Sequence, residues 1–360
     1  MAFVVLDHTL VGRTLWVSRS YGDCTESQMR PKCMDVGRRS CFGDTLLALF
    51  PPRKHSFRMM YSGVRMCRLK RDFAGLSDAK SLYGVLTVTD IQADSSQLSF
   101  GLITDIHHAS FDYDERHCSK SLGRLRRALD WMEKRGIRLL INLGDSINCG
   151  YGNNKEAEYT REVRSALTAF PGQVKFLIGN HDIETFPKAE FLDLLQCGQP
   201  CAFEEQGVRC ILLDGNNHAD GSDFMPGNFT WDQAHLGPGQ RALLEDELKK
   251  AAGKPVLIFC HECLDHSICN GEPDPHLVKD FAEARAIINR FPNVLAVIQG
   301  HYHPGRSMVV DGLPYLAMAS IVGDDEPDPG AAAIVHVMKD GSLEIEGFGR
   351  QPSLKLSRNG

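Results

Sequence analysis

A chain of 360 residues is long enough to bury a large core, as one big domain or two smaller ones. Its 42% hydrophobic and 24% charged residues are those of an ordinary globular protein, and no apolar stretch reaches the ~18 residues of a membrane span. A net charge of −6 argues against a general nucleic-acid binder, and twelve cysteines are too few for a disulfide scaffold, so the expectation is a cytoplasmic chain with reduced thiols.

Charge divides unevenly. Residues 1–80 carry 14 Lys/Arg against 7 Asp/Glu, whereas residues 81–360 carry 26 against 39. The first 95 residues are rich in Arg, Ser, Gly and Cys, lack sustained periodicity and are broken by Pro31, Pro51 and Pro52. Three readings of this extension stay open: a disordered or loosely packed arm, an upstream start outside the working protein, and an organelle-targeting segment. Asp7, Asp23, Glu26 and Asp35 speak against the last. A first strand is expected at 85–89.

From Leu98 onward, apolar runs and amphipathic stretches alternate, which places one domain over residues 96–355. Strands are expected at 99–104, 139–143, 174–178, 208–213, 256–260 and 295–299. The clearest helix spans 119–135, where Leu122, Leu125, Leu129 and Met132 share one face. Further helices are expected at 156–169, 188–196, 238–252 (Pro early, Gly253 as a stop) and 278–290. Strands at 314–320, 332–337 and 343–347 follow without intervening helices. That predicts an antiparallel portion, and so a layered α/β sandwich rather than a purely parallel sheet. The stretch between Asp214 and Leu236 is too long for a simple connection, and Phe224, Phe229 and Trp231 mark it as a loop packed beside a site.

Five of the apolar runs end in polar tips: Asp105-Ile106-His107, Gly144-Asp145, Gly179-Asn180-His181-Asp182, His261 and Gly300-His301-Tyr302-His303. Buried strands that each deliver such a tip at one sheet edge build a site there. Asp, Asn and His together suit a hard or borderline divalent cation. Two such ions about 4 Å apart acidify a shared water and clamp the oxygens of a phosphoryl group during in-line attack. Asp145 is the natural bridging ligand. Asp105, His107 and His303 complete one site, and Asn180, His261 and His301 the other. Alternation along extended chain lets His301 and His303 reach neighbouring ions. His181 is then left to protonate the leaving oxygen, with Asp182 expected to fix its tautomer. His218, in the long loop, and Arg306, just after the last histidine, are candidates for touching substrate. The Cys260-x-x-Cys263 spacing has no partner pair of the kind a zinc ribbon needs.

In this order the motifs resemble the calcineurin-like metallophosphoesterase superfamily over roughly residues 98–352. The resemblance implies a four-layer αββα sandwich of mixed sheets with two divalent metal ions, Mn, Fe or Zn, and its motifs match the ligand set above position by position. Residues 231–248, Gly300-His301-Tyr302-His303-Pro304-Gly305, Gly312-Leu313-Pro314-Tyr315 and 345–353 are similar to the manganese-dependent ADP-ribose/CDP-alcohol diphosphatases and their bacterial relatives. This narrower likeness implies cleavage of a phosphoanhydride or phosphodiester in a small nucleotide-like substrate, by attack of a metal-bridging hydroxide. Members of that group can carry Gln where this chain has His107. Alternatives are a phosphomonoesterase or cyclic-nucleotide phosphodiesterase with the same centre and, more remotely, a non-catalytic scaffold. No nucleic-acid or membrane partner is expected, and oligomeric state is not legible.

Overall fold

The computed structural model describes residues 2–6, 15–19, 45–47, 85–87, 96–149, 152–198, 201–266, 268–269, 272–323 and 329–358. The chain divides into two units, Met1–Ile91 and Gln92–Gly360. In the first, β1 (Ala2–Leu6) pairs antiparallel with β2 (Leu15–Arg19), and β3 (Thr45–Leu47) with β4 (Val85–Thr87), the strand expected at 85–89. The rest of this segment, and with it the three readings of the extension, lies outside the described residues.

The second unit alternates strands and helices: β5 (Ser96–Ile103), α1 (Ser121–Glu133), β6 (Leu139–Asn142), α2 (Glu156–Thr168), β7 (Gln173–Phe176), α3 (Lys188–Leu195), β8 (Ala202–Glu205) and β9 (Val208–Leu213). It continues through α4 (Gly237–Lys250), β10 (Val256–Cys260), the short hairpin β11 (Ile268–Cys269) and β12 (Glu272–Pro273), α5 (Phe281–Ile288) and β13 (Val294–Gln299). It closes with β14 (Arg306–Val310), β15 (Leu313–Ala317), β16 (Ala331–Met338), β17 (Leu343–Gly349) and β18 (Leu354–Leu356).

Two six-stranded sheets result, ordered β18-β17-β16-β5-β6-β7 and β14-β15-β13-β10-β9-β8. Each contains a run of parallel strands, β5-β6-β7 reaching one edge of the first and β9-β10-β13-β15 inside the second. In the first sheet β16 and β17 add antiparallel strands on the side away from β7, as the helix-free C-terminal stretch predicts; in the second β14 and β8 add one at each edge. Side chains alternate across a strand, so each sheet is apolar on both faces. Leu98, Phe100, Leu102 and Ile141 meet Leu212, Leu257, Phe259 and Ile298 between the sheets. Phe100 and Phe259 pack edge to face there, with centroids 5.9 Å apart. Ile103 and Leu140 instead face Leu125, Leu129 and Val163 of α1 and α2, while Ile211, Ile258 and Val297 face Leu244, Leu248 and Ile288 of α4 and α5. The result is the expected four-layer αββα sandwich of mixed sheets.

Boundaries shift where tertiary contacts override the sequence pattern. The helix expected at 278–290 starts only at Phe281. The backbone before it serves the long loop: the Lys279 amide donates to Ala234, and the Asp280 carboxylate accepts the amides of Leu236 and Gly237. The strands β8, β14 and β18 went unforeseen. Each is short, and β14 lies at a sheet edge with Val309 50% exposed, so it lacks the continuous apolar run of a central strand. Among the described residues, no helix is long and apolar enough to cross a membrane. Replacing Phe259 by Ala leaves a void between the sheets, and the expected loss of about 3–5 kcal/mol is measurable as a lower urea midpoint at unchanged m-value.

Candidate metal centre

Every tip emerges from the end of a parallel strand, and at three of the five the backbone turns sharply. Asp105 (φ 50°), His107 (φ 45°), Asp145 (φ 52°) and His301 (φ 65°) all occupy the left-handed region. Such conformations cost a non-glycine residue about 1–3 kcal/mol each and persist where surrounding bonds over-determine them. Those bonds are present. The Asp105 amide donates to Gly144 O at 3.0 Å and the His107 amide to Asp145 O at 2.9 Å, which ties the first tip to the second. The His301 amide donates to Asp105 Oδ2 at 3.1 Å, tying the last tip to the first. Gly144 and Gly179 face each other so closely that a Cβ on Gly144 would stand 2.5 Å from the Gly179 nitrogen.

Donor atoms of the expected ligands converge in two groups, Asp105 with His107 and His303, and Asp145 with His261 and His301, each set lying within 4.8 Å. Asp145 is common to both sides: its Oδ2 is 3.4 Å from His107 Nε2 and 3.3 Å from His261 Nε2. Asn180 Oδ1 joins the second group, 3.2 Å from His261 Nε2. Leu143 O, 3.0 Å from His261 Nδ1, takes the proton of that nitrogen and turns Nε2 inward as a lone-pair donor. His107 Nε2 and His303 Nε2 face each other at 3.0 Å, 3.7 and 3.4 Å from Asp105 Oδ1.

These residues fit a pair of divalent cations. Asp105 Oδ1 and His301 Nε2 are buried without a hydrogen-bond partner, which is costly unless a ligand is meant for them. Two buried carboxylates among imidazoles also call for positive charge. Burial would raise both carboxyl groups. Hydrogen bonds and charge from His107, His303 and His261 hold Asp105 well below its usual range, and the charges of His261 and His181 do the same for Asp145. Burial pushes His107 down to about 3 and His301 well below its ordinary value. His261 rises against burial because Asp145 faces it. The donors are oxygen and imidazole nitrogen, and the nearby thiols take no part. Cys260 and Cys263 are buried, with thiols pushed well above their ordinary range by desolvation.

His181 stands over this cluster, within reach of His107 and Asp145, and its amide donates to Asp145 Oδ1 at 2.8 Å. The neighbour expected to orient it does something else. Asp182 is fully buried, and its carboxylate accepts the amides of Ser146 (2.7 Å), Gly179 (2.9 Å) and Ile147 (3.3 Å), pinning the second tip to the third. Burial and the Asp145 charge raise it to about 8. The carboxylate beside His181 is Glu184, 3.2 Å from Nδ1. His181–Ile183 form a 3-10 turn, in which residues three apart eclipse, so the spacing pointed to Glu184.

Arg306 is likewise turned inward. It forms two bonds of 2.8 Å with Asp265 and one of 2.9 Å with Asp274. Asp274 holds His276 Nδ1 at 2.6 Å, and the His276 ring packs 4.9 Å from that of His301. Arg306 therefore braces a ligand and does not present its charge to a phosphate. His218 packs edge-on against Phe224 within the long loop. That loop does lie beside the site, through Trp231, whose ring centroid is 5.6 Å from that of His301. His108, next to a ligand, pairs outward with Glu162 at 2.6 Å. Arg116 was missed: its Nη1 is 3.2 Å from His181 Nε2 and 3.4 Å from His107 Nδ1, and it sits far along the loop after β5, well past the polar tip that the strand flags.

Asp182→Ala leaves three buried amides without an acceptor. At about 1–3 kcal/mol for each unsatisfied group, the expected outcome is a marked loss of stability in metal-free protein, read by urea denaturation. An unchanged midpoint would show that the tips hold their shape without it.

Comparison with known proteins places the chain among relatives. A relative from Arabidopsis thaliana, named manganese-dependent ADP-ribose/CDP-alcohol diphosphatase, is 30% identical over 302 residues, 71% of this chain and 95% of that protein. A protein of the same name from Oryza sativa subsp. japonica is 22% identical over 289 residues, 66% of this chain and 87% of its own. The crystal structure of a dimetal phosphatase from Danio rerio shares the fold, with a TM-score of 0.62 at 19% identity, over 73% of this chain and 99% of that one. Residues 98–305 match the calcineurin-like phosphoesterase profile, and the chain belongs to that family of hydrolases acting on phosphate esters and anhydrides.

Proposed function

We propose that the chain hydrolyses the phosphoanhydride of a small nucleotide-type diphosphate, of the ADP-ribose or CDP-alcohol kind, at two divalent cations. Asp105, His107 and His303 hold one ion, Asn180, His261 and His301 the other, and Asp145 serves both. The position of the Asp145 carboxylate, between His107 Nε2 and His261 Nε2, carries this reading. When bound, the ions supply Lewis acidity and an acidified water for attack on phosphorus. Manganese is the proposed metal, on the strength of the relatives' names and an all-oxygen and imidazole donor set.

His181 acts on the leaving oxygen. Its side chain is 19% exposed, open to a substrate yet anchored through its amide to Asp145. His181 Nε2 now accepts from Arg116 at 3.2 Å; once a substrate oxygen takes that guanidinium, the imidazole, with Glu184 beside Nδ1, can carry a proton at Nε2 and give it to the departing group. The work is assigned to residues 96–355, because every residue named here lies in the Gln92–Gly360 unit.

A manganese-supplemented assay of purified protein with ADP-ribose should release AMP and ribose phosphate. Intact ADP-ribose alongside cleaved monoester or cyclic nucleotide would move the reading to those substrates. His181→Ala should lower kcat by ~10²-fold while elemental analysis finds the metal content unchanged, and wild-type turnover would remove His181 from its role. A chain beginning at residue 96 should keep the wild-type kcat/KM, and failure to fold would assign the extension to the core.

A further inference from the structure

We propose that Arg116 binds the phosphate that departs, and so makes the site selective for phosphoanhydrides over esters whose leaving group carries no phosphate. The inference rests on the role proposed for His181.

Arg116 belongs to the loop between β5 and α1, where it is rigidly placed. Its amide donates to Tyr113 O at 2.9 Å, its carbonyl accepts the Tyr113 amide at 3.0 Å, and its guanidinium lies 5.2 Å from the Tyr113 ring centroid. The group is half-buried and carries a permanent positive charge. Elsewhere in this unit four partly buried arginines meet carboxylates, Arg209 with Glu247, Arg241 with Asp280, Arg285 with Asp311 and Arg306 with Asp265, while Arg358 donates to two backbone carbonyls. Arg116 pairs with no carboxylate among the described residues. Asp112, four residues before it, is taken by His117 and the Ser119 amide. Arg116 meets two imidazole nitrogens instead, His181 Nε2 at 3.2 Å and His107 Nδ1 at 3.4 Å.

That arrangement stabilises the folded chain poorly and an arriving anion well. A guanidinium only donates, and a neutral imidazole is a weak partner beside a phosphate, which accepts two parallel N–H bonds. A His107 that ligates through Nε2 carries its proton on Nδ1. His107 Nδ1–H and Arg116 Nη1–H are then two donors facing the same space. An oxyanion seated there takes both.

The position also says which phosphate. His181 Nε2 is the atom assigned to the leaving oxygen, and Arg116 Nη1 is its immediate neighbour. Hydrolysis forms a P–O bond to water and breaks the bond to the bridging oxygen, which leaves as a phosphomonoester carrying the proton from His181. The water's surplus proton goes to solvent, from which His181 is recharged. Only in a phosphoanhydride does the departing group bring a phosphate of its own against the guanidinium.

The test compares wild type, R116K and R116A, each with metal content verified, on ADP-ribose and on bis(p-nitrophenyl) phosphate, a diester whose leaving group has no phosphate. In R116A, kcat/KM for ADP-ribose should fall roughly 10–100-fold, the worth of one charge-assisted hydrogen-bonding partner. The diester should change by less than about threefold, and R116K should recover part of the loss. Equal losses on both substrates would overturn the proposal and reduce Arg116 to a brace for His181. Failure of the wild type to cleave ADP-ribose would sink the substrate class instead. Equilibrium dialysis with labelled ADP-ribose then decides the Arg116 assignment, since retention by wild type and not by R116A supports it and equal retention overturns it.

Discussion

The Asp145 carboxylate is the point to which the rest of this molecule is referred. One oxygen accepts the His181 amide, and the other stands between His107 and His261. It is buried, it is held ionised, and it sits on a left-handed residue between two glycines, Gly144 and Gly179, that no larger side chain could replace without collision. A buried charge in strained backbone is stable only when neighbours are fixed around it. The four-layer core provides that fixity. The strands that deliver the tips are clamped between two apolar layers, so their ends cannot drift.

Strain and burial at the tips are offset by hydrogen bonds that run from one tip to the next. The first tip bonds to the second through two amides, the second to the third through Asp182, and His261 Nδ1 to Leu143 O just before the second; the Gly300 amide then joins the last tip to His261 O, and the His301 amide joins it to the first through Asp105 Oδ2. Each bond is modest by itself. Arranged as a ring, they make the positions of seven candidate ligands mutually dependent. Asp182 has a structural share in this ring, because three backbone donors have no other acceptor. A tautomer-fixing role would have required it to face solvent-side His181, where Glu184 stands instead.

Around the ligands lies a second set of groups that sets their orientation and surroundings. Arg306, Asp265, Asp274 and His276 form a chain that ends against His301, and Trp231 closes over the same ring from the long loop. Arg116 and Glu184 flank His181 from opposite ends of its imidazole. The two sides differ in character, one braced and aromatic, the other charged and open.

Sequence by itself determined the strands that carry the tips, since continuous runs such as Val256–Cys260 can be satisfied only when covered on both faces. It also pointed to the candidate ligands, since Asp, Asn and His at the ends of five such runs have a common destination, and their donor atoms do converge. The mixed sheets followed from helix-free strands at the C-terminus. Only the tertiary structure decided what each remaining polar residue faces. Arg306 follows His303 by three positions and reads as a phosphate binder, yet two carboxylates from the 265–274 segment turn it inward. Arg116 reads as an ordinary loop residue, yet chain folding brings it to an imidazole 65 positions away. The physical reason is the same in both cases. Hydrophobic periodicity is a local property fixed by the geometry of strand and helix, whereas the partner of a charge is set by long-range packing, which leaves no period in the sequence.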